Sequence, residues 1–287
     1  MAIVLAMVAA IGWGASDYFG GDASRREVPV FVVVAIAELF GAALLVPELI
    51  ARGAPPPTDP RLLLAAAAGV AVTVELSLIY RALGRGQAFI TAPTGALGTA
   101  AAVTVGLIGG DPLSLAVAIG LLGALLGGGI SAWSSPATGA HGDIGAFDTA
   151  ATCLGAAVAV GAMLTCLHAA GRLDPYWATG IEHISTSLSA AIAALIAARR
   201  PLRDLLPHRS QLSTLALVAA AGVGGDLAYT TASRTGALSI TSAVASLYPI
   251  TTIALGRMLQ GRRAMRIQLI GIILALGGAV LLGVSTR

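Results

Sequence analysis

Long apolar segments follow one another along almost the whole chain, and they constrain its fold more than any other feature. Apolar residues make up 56% of the 287 residues and charged residues only 11%, whereas a soluble domain carries about 25% charged residues. Because so few charges cannot cover a soluble protein of this length, we predict an integral membrane protein that contacts the lipid bilayer. Segments of about 20 mainly apolar residues, the length that crosses a bilayer, lie at roughly 2–20, 28–49, 62–84, 87–108, 113–133, 147–170, 177–198, 211–233, 236–257 and 267–285.

An internal repeat divides these ten predicted spans into two sets of five. Tyr80–Gly86 leads into an Ile-Thr pair at 90–91, and Tyr229–Gly236 leads into an Ile-Thr pair at 240–241. An odd number of spans per repeat makes the second repeat enter the membrane from the opposite side. The predicted fold class is therefore all-α, with ten transmembrane helices as two inverted five-helix repeats, residues 1–139 and 140–287.

The positions of the basic residues predict the orientation of the chain in the membrane. The formal net charge is +3, every basic residue is an arginine, and most arginines lie in short loops. We therefore expect no nucleic-acid partner. More arginines follow spans 1, 3, 7 and 9 than lie on the other side, which predicts that these loops are cytoplasmic and both termini outside.

No catalytic motif is present. The pair Glu182-His183 lacks the second histidine of a zinc-protease helix, and the glycine-rich segment 222–226 lacks the spacing and the lysine of a phosphate-binding loop. We therefore expect no enzyme activity, no catalytic residue, no cofactor and no metal site.

Ionisable residues inside the predicted spans are the first candidates for a substrate or coupling site. Glu38 lies near the middle of span 2, Glu75 just past the middle of span 3, and Asp226 two-thirds along span 8. A charge at the bilayer centre costs at least about 2.5–3.5 kcal/mol, so such residues face a cavity or a partner. The alternatives are a neutral carboxylic acid hydrogen-bonded between helices, or a residue that lies nearer the membrane interface.

A polar stripe adds further candidates. Asp226, Tyr229 and Thr230 occupy positions i, i+3 and i+4 of one helix face. The repeat places Tyr80 and Arg81 on the matching face of span 3, so these side chains are candidates for lining a cavity at mid-membrane. The alternative is that the tyrosines anchor the helix ends at the interface and that Arg81 extends to lipid headgroups.

Small residues and prolines mark the remaining features. Trp13 lies between two glycines of span 1, where it serves either a substrate path or packing. Pro249 inside span 9 can kink that helix. Gly123 and Gly127 of span 5 form a small-residue face, which serves either packing against span 10 inside one chain or a homodimer contact.

The chain resembles the EamA-type transporters of the drug/metabolite transporter superfamily. The resemblance rests on the segment Gly12–Asp17, the Tyr-Arg-Ala-Leu turn that starts at Tyr80, the proline-containing span 4 and the glycine-rich span 5. It implies a multi-pass carrier of the inner (plasma) membrane that moves small metabolites or drugs, usually outward, by alternating access. The family often has a Gly-Glu pair before the fifth and tenth spans, where this chain has Gly110-Asp111 and Gln260-Gly261. The resemblance also implies cytoplasmic termini, against the arginine distribution.

Three functions stay open at the sequence level. The first is a carrier of small organic solutes, with protons as the candidate coupling ion, acting as a monomer or homodimer. The second is an exchanger of phosphorylated metabolites or nucleotide sugars, in which Arg81 and Arg234 would contact the anion. The third is a membrane enzyme or scaffold that transports nothing.

Overall fold

The computed structural model describes residues 1–24, 29–84, 91–131, 146–198, 206–260 and 265–285, and these ranges contain helices and no strand. The all-helical fold class is therefore confirmed. Two short 3-10 turns, Pro60–Leu63 and Arg209–Gln211, precede α3 and α8. The α-helices are α1 Ala2–Ser24, α2 Val30–Arg52, α3 Leu64–Gly84, α4 Thr91–Ile108, α5 Leu115–Ser131, α6 Ala146–Gly171, α7 Pro175–Ala197, α8 Leu212–Ala232, α9 Leu238–Ala245, α10 Tyr248–Gln260 and α11 Arg266–Ser285.

The described helices make the chain a multi-pass membrane protein. Eight segments are long and apolar enough to cross a membrane, and two further helices are apolar over shorter lengths, Thr94–Ile108 and Leu115–Ile130. The count of ten spans and their inverted arrangement stay predictions. The expected boundary between the repeats, at residues 139 and 140, lies outside the described residues.

The predicted ninth span is divided in the structure. Two helices, α9 and α10, replace one continuous helix, and Ser246 and Leu247 lie between them. Pro249 has no backbone N–H, and its ring clashes with the carbonyl four residues earlier, so a helix ends before it. The Leu247 amide instead donates to the Val244 carbonyl at 3.2 Å.

Most of the extensive helix contacts join the two halves of the chain. Helix α5 packs on α11, and α2 packs on α7. In the predicted repeats, α1, α2 and α3 correspond in chain order to α6, α7 and α8. The contact of α1 with α8 then corresponds to the contact of α6 with α3, and the contact of α2 with α8 corresponds to the contact of α7 with α3. Helix α4 corresponds to the divided ninth span, α9 and α10. The contact of α4 with α6 therefore corresponds to the contacts of α1 with α9 and α10.

The interface of α5 and α11 depends on small residues. A Cβ atom added at Gly127 would lie 2.6 Å from the Cα atom of Ala275 and 2.7 Å from the Gly271 carbonyl oxygen. A Cβ at Gly123 would lie 3.1 Å from the Cα atom of Gly278. The backbones therefore touch directly, as van der Waals packing between membrane helices requires, and the small-residue face is used inside one chain.

The first prediction concerns this interface. Gly127→Ala should lower the free energy of unfolding by about 1–3 kcal/mol, because the added methyl group meets backbone atoms that cannot move aside. Gly277→Ala on α11 is the matched control, since a Cβ there meets nothing within 4 Å. Thermal unfolding in detergent checks both variants. Equal stability of the two would contradict the close backbone contact.

Candidate functional site

Helices α2 and α7 run antiparallel and are clasped at one end. Asp174 caps α7 by accepting hydrogen bonds from the backbone amides of Tyr176 and Trp177, at 2.9 and 3.1 Å, and Pro175 fills the first helical position, where no N–H is needed. Arg52, the last residue of α2, donates two parallel hydrogen bonds to the same carboxylate, at 3.0 and 2.7 Å. We call the Arg52–Asp174 pair the clasp.

The clasp is electrostatically favourable. Burial raises the pKa of the Asp174 carboxyl. Hydrogen bonds from Arg52 and from the backbone amides of Trp177 and Tyr176 lower this pKa by more than burial raises it, so the pKa lies below its ordinary value. The Arg52 guanidinium also lies 4.5 Å from the centroid of the Tyr176 ring, a distance typical of a cation–π contact.

An imidazole in the middle of α7 joins three helices. His183 is buried, with 1% of its side chain exposed. Its Nδ1 atom contacts the carboxylate of Glu38 on α2. Its Nε2 atom lies 3.3 Å from Oδ2 of Asp226 on α8 and 3.9 Å from Oε2 of Glu182 on α7. We call these four residues the acid–histidine cluster.

Neighbouring side chains fix the carboxylates of the cluster. The Trp13 indole N–H of α1 donates to Oδ1 of Asp226 at 2.8 Å. The Thr186 hydroxyl donates to Oε1 of Glu182 at 2.6 Å. Each of these two carboxylates thus has one oxygen held by a donor, and the other oxygen lies on the side of His183.

Glycines make room for the rings. A Cβ at Gly41 of α2 would lie 2.8 Å from the His183 ring, and a Cβ at Gly225 of α8 would lie 2.7 Å from Trp13 Cδ1. Larger residues at these two positions would push the imidazole and the indole out of their places. Gly41 and Gly225 therefore let α2 approach α7 and α8 approach α1.

The cluster carries more acid than base. Within the described part of the chain, the ion pairs of its three carboxylates involve only His183. A protonated imidazole facing three ionised carboxylates leaves two negative charges, which are costly inside a membrane. Protons or a bound cation must therefore offset them. One donor atom each from Glu38, Glu182 and His183 lies within 4.8 Å of the others, a spacing compatible with a metal ion.

The structure brings together three of the candidates named from sequence. Trp13, Glu38 and Asp226 all belong to the cluster or hydrogen-bond to it. Tyr229 is adjacent, with its ring centroid 5.3 Å from that of Trp13, but it is fully buried and its hydroxyl bonds the Leu164 carbonyl at 2.9 Å.

The remaining candidates of the polar stripe are Thr230, Tyr80 and Arg81. Thr230 is fully buried, and its hydroxyl lies 3.1 Å from that of Thr179 on α7. This contact joins α7 to α8 about one helical turn away from His183 and Asp226. Tyr80 and Arg81 lie on α3, and their side chains are outside the part of the structure that is described.

Glu75 lies apart from the cluster. It lies on α3, and no ion pair among the described residues links it to His183.

The acid before the fifth span has a structural contact. Asp111 accepts a hydrogen bond from the Ser239 backbone amide at 2.7 Å, and so caps the first turn of α9. The preceding Gly110 has a φ of 97°, a conformation that glycine adopts without strain. The corresponding pair, Gln260-Gly261, falls at the edge of the described residues, and its side-chain contacts lie outside them.

Glu182 and His183 are absent from the sequence-based candidates. As a sequence motif the pair resembles only part of a zinc-protease helix, which requires a second histidine. Both residues lie well inside an apolar span, and that position is the signal that identifies them.

Residues 149–284 match the family model of the EamA-like transporter family. This matched segment, just under half of the chain, is similar to that family. The resemblance seen in the sequence is thereby confirmed, and the family points to a membrane transporter of small molecules rather than an enzyme. A solved structure, described as the crystal structure of a protein, has the same fold with a TM-score of 0.77 at 15% identity, covering 100% of this chain and 98% of that one. None of the curated proteins matches the chain.

The second prediction concerns the clasp. Asp174→Asn keeps an acceptor for the cap of α7 but removes the charge that Arg52 binds. At neutral pH it should lower the free energy of unfolding by about 0.5–1 kcal/mol, as expected for a partly exposed pair. The folded-state pKa of Asp174 is depressed. Its contribution is therefore fully present above the unfolded-state pKa and is lost as the pH falls through the folded-state pKa.

Chemical denaturation of both proteins at neutral and at acidic pH checks this prediction. The stability difference between wild type and variant should shrink in acid. A difference that is independent of pH would assign the effect to capping or packing instead.

Proposed function

We propose that this chain is a secondary active carrier that moves small organic solutes outward across the inner membrane by alternating access. Its ten spans form two inverted repeats, residues 1–139 and 140–287. Three findings support this proposal: the family match to the second half, the likeness in fold over the whole chain, and the paired contacts between the halves.

One observation carries the proposal. The acid–histidine cluster is assembled from both halves. Glu38, and Trp13 that donates to Asp226, come from the first half, and Glu182, His183 and Asp226 come from the second. Rocking one repeat against the other changes the distances within such a cluster, as binding sites between repeats require.

The charge of the cluster suggests how transport is coupled. Glu38 from α2, Glu182 from α7 and Asp226 from α8 face His183, and the Trp13 indole from α1 is neutral. A proton or a cationic part of the substrate offsets the excess negative charge, and the two compete for the same oxygens. Proton movement in one direction then drives solute movement in the other.

The alternatives from sequence have less support. An exchanger of phosphorylated compounds needs cationic contacts, whereas the described cluster is acidic and Arg234 is exposed. A scaffold function does not account for carboxylates inside the membrane spans. The small-residue face of α5 is occupied by α11, which favours a monomer over a homodimer formed through that face.

The third prediction tests coupling. Glu38→Gln keeps the shape of the side chain and removes its charge, so it should reduce pH-gradient-driven uptake into proteoliposomes to the level of empty liposomes. Glu48→Gln, an exposed position on the same helix, is the matched control and should transport like the wild type. An entrapped pH dye records proton flux while a panel of amines, amino acids and sugars is added.

The same assay covers the other acids. If Glu38→Gln, Glu75→Gln and Asp226→Asn each transport at the wild-type rate and with wild-type pH dependence, the coupling role of these carboxylates is wrong. Loss in Glu75→Gln alone would move the coupling site to Glu75 on α3.

A further inference from the structure

The short helix α9 is buried along its whole length. All of its residues, Leu238–Ala245, are buried, and the break at Ser246 and Leu247 separates it from α10. Breaks of this kind, a few residues at the end of a helix, are where hinges absorb changes of backbone angle. Helix α9 is therefore a small rigid body with a hinge at its C-terminal end.

Helix α9 seals one side of the acid–histidine cluster. Tyr229 lies about one helical turn beyond Asp226 on α8, and its ring centroid is 5.3 Å from that of Trp13. The Tyr229 hydroxyl lies 2.8 Å from that of Ser242 on α9, and both residues are fully buried. The side chains of Glu38 and Asp226 are instead 21% and 14% exposed. The accessible surface of these carboxylates therefore lies away from α9.

The start of α9 lies at the same end of the helix bundle as the clasp. Thr230, near the end of α8, donates to the Pro175 carbonyl of α7 at 3.4 Å, and Pro175 follows Asp174 of the clasp. Helix α9 begins soon after the end of α8, once residues 233–237 have been passed. Helix α9 therefore occupies the space between the cluster and this end of the bundle.

A carboxylate from the first half of the chain holds the start of α9. The N-cap residue Ala237 provides no side-chain hydrogen bond, so the first amides of α9 need an acceptor from elsewhere. Oδ2 of Asp111 accepts a hydrogen bond from the Ser239 amide at 2.7 Å. The partial positive charge at a helix N-terminus strengthens such a bond. We call this hydrogen bond between the halves the latch.

The backbone before α5 is shaped to place this carboxylate. The Asp111 amide donates to the Gly106 carbonyl at 3.0 Å, which closes the turn, and Gly110 within it has a φ of 97°. A Cβ at Gly106 would lie 2.7 Å from the Ser239 nitrogen and 3.2 Å from Cβ of Leu238. The missing side chain at Gly106 thus lets α4 approach the start of α9 closely enough for the latch to form.

We propose that α9 is the gate at this end of the bundle and that the latch holds it shut. The inference rests on the proposed carrier function. Rocking of the repeats separates Asp111, in the first half, from Ser239, in the second. The released helix turns about the break at Ser246 and Leu247 and uncovers Tyr229, which opens a path to the cluster. The clasp joins two other helices, α2 and α7, and stays closed in this motion.

Access to a buried position of α9 tests the gate. In a chain whose Cys153 and Cys166 are replaced by alanine, Ser242→Cys is labelled with a membrane-impermeant maleimide in sealed vesicles of each orientation. Thr58→Cys, exposed in the loop after α2, identifies the vesicles that expose this end. In those vesicles alone, Asp111→Ala should raise the labelling rate at position 242 about 10- to 100-fold, the range expected when a hydrogen bond to a charged group is lost.

Asp59→Ala is the matched control. Asp59 also caps a helical turn at this end, since it accepts from the Arg61 amide at 2.9 Å, but this partner belongs to the same half of the chain. Both alanine variants lose a cap and should lose similar thermal stability, yet Asp59→Ala should be labelled at the wild-type rate. Asp111→Asn keeps an acceptor without the charge, so its labelling rate should lie between those of the wild type and Asp111→Ala.

Equal labelling rates in Asp111→Ala and Asp59→Ala would overturn the gate and leave Asp111 as a structural cap. Faster labelling in both vesicle orientations would overturn it as well, because it indicates general loosening of the bundle. If Asp111→Ala or Ser242→Cys does not fold, Asp111→Asn and Ala243→Cys, at a fully buried neighbouring position, replace them.

The labelling assay needs no solute, so it separates the gate from the carrier proposal. Faster labelling in a chain that transports no solute would refute the carrier and leave the latched movement of α9 standing. Solute transport by a chain whose labelling does not depend on Asp111 would refute the gate alone.

Discussion

Inside a bilayer there is no water to satisfy a polar group, so every buried charge and hydrogen-bonding atom must find its partner within the protein. The acid–histidine cluster is the point where this constraint is strongest. His183 at the centre of α7 contacts Glu38 of α2 and Asp226 of α8, and Trp13 of α1 donates to the latter. Four helices from both halves are thereby fixed relative to one another by a few polar contacts.

The other contacts between helices are made mainly by small residues and hydroxyl groups, and they are compatible with this arrangement. Small residues at the contacts of α5 with α11 and α1 with α8 bring backbones together without large side chains. Hydroxyl groups of α7 bond to backbone carbonyls of its neighbours, as Ser185 does to Ala66 and Ser187 to Ala35, each at 2.7 Å. Such packing is close but rests on few large apolar anchors.

The sequence predicted the helices well because their physical cause is local. A run of apolar residues of bilayer length forms a helix whatever surrounds it, and most predicted spans agree with a helix to within a few residues. The break before Pro249 was expected only as a kink. Its position at Ser246 and Leu247 depends on which carbonyls can accept bonds nearby, and that depends on the folded backbone.

The site was predicted only in part, for a different reason. Glu38 and Asp226 were predicted because they lie deep within apolar spans. The periodicity of a sequence does not show which acids on different helices contact the same residue. That residue, His183, lies on a helix whose alignment with α2 is set by long-range contacts such as the clasp. Tyr229 fits a polar stripe in sequence, yet its hydroxyl satisfies a carbonyl in the interior. A hydroxyl pattern alone does not distinguish a cavity wall from a packed helix contact.

The clasp and the cluster lie on the same two helices, and their separation has a mechanical consequence. Nine residues separate Asp174 from His183, which is about 13 Å along the axis of α7. If the clasp acts as a pivot, tilting α7 by about 10° moves His183 by about 2 Å, because the displacement grows with that lever arm. A shift of this size breaks the contacts of the imidazole with Glu38 and Asp226 while every backbone hydrogen bond of α7 stays intact. Tilting α7 as a rigid helix about its N-terminal end can therefore separate the charged groups of the acid–histidine cluster.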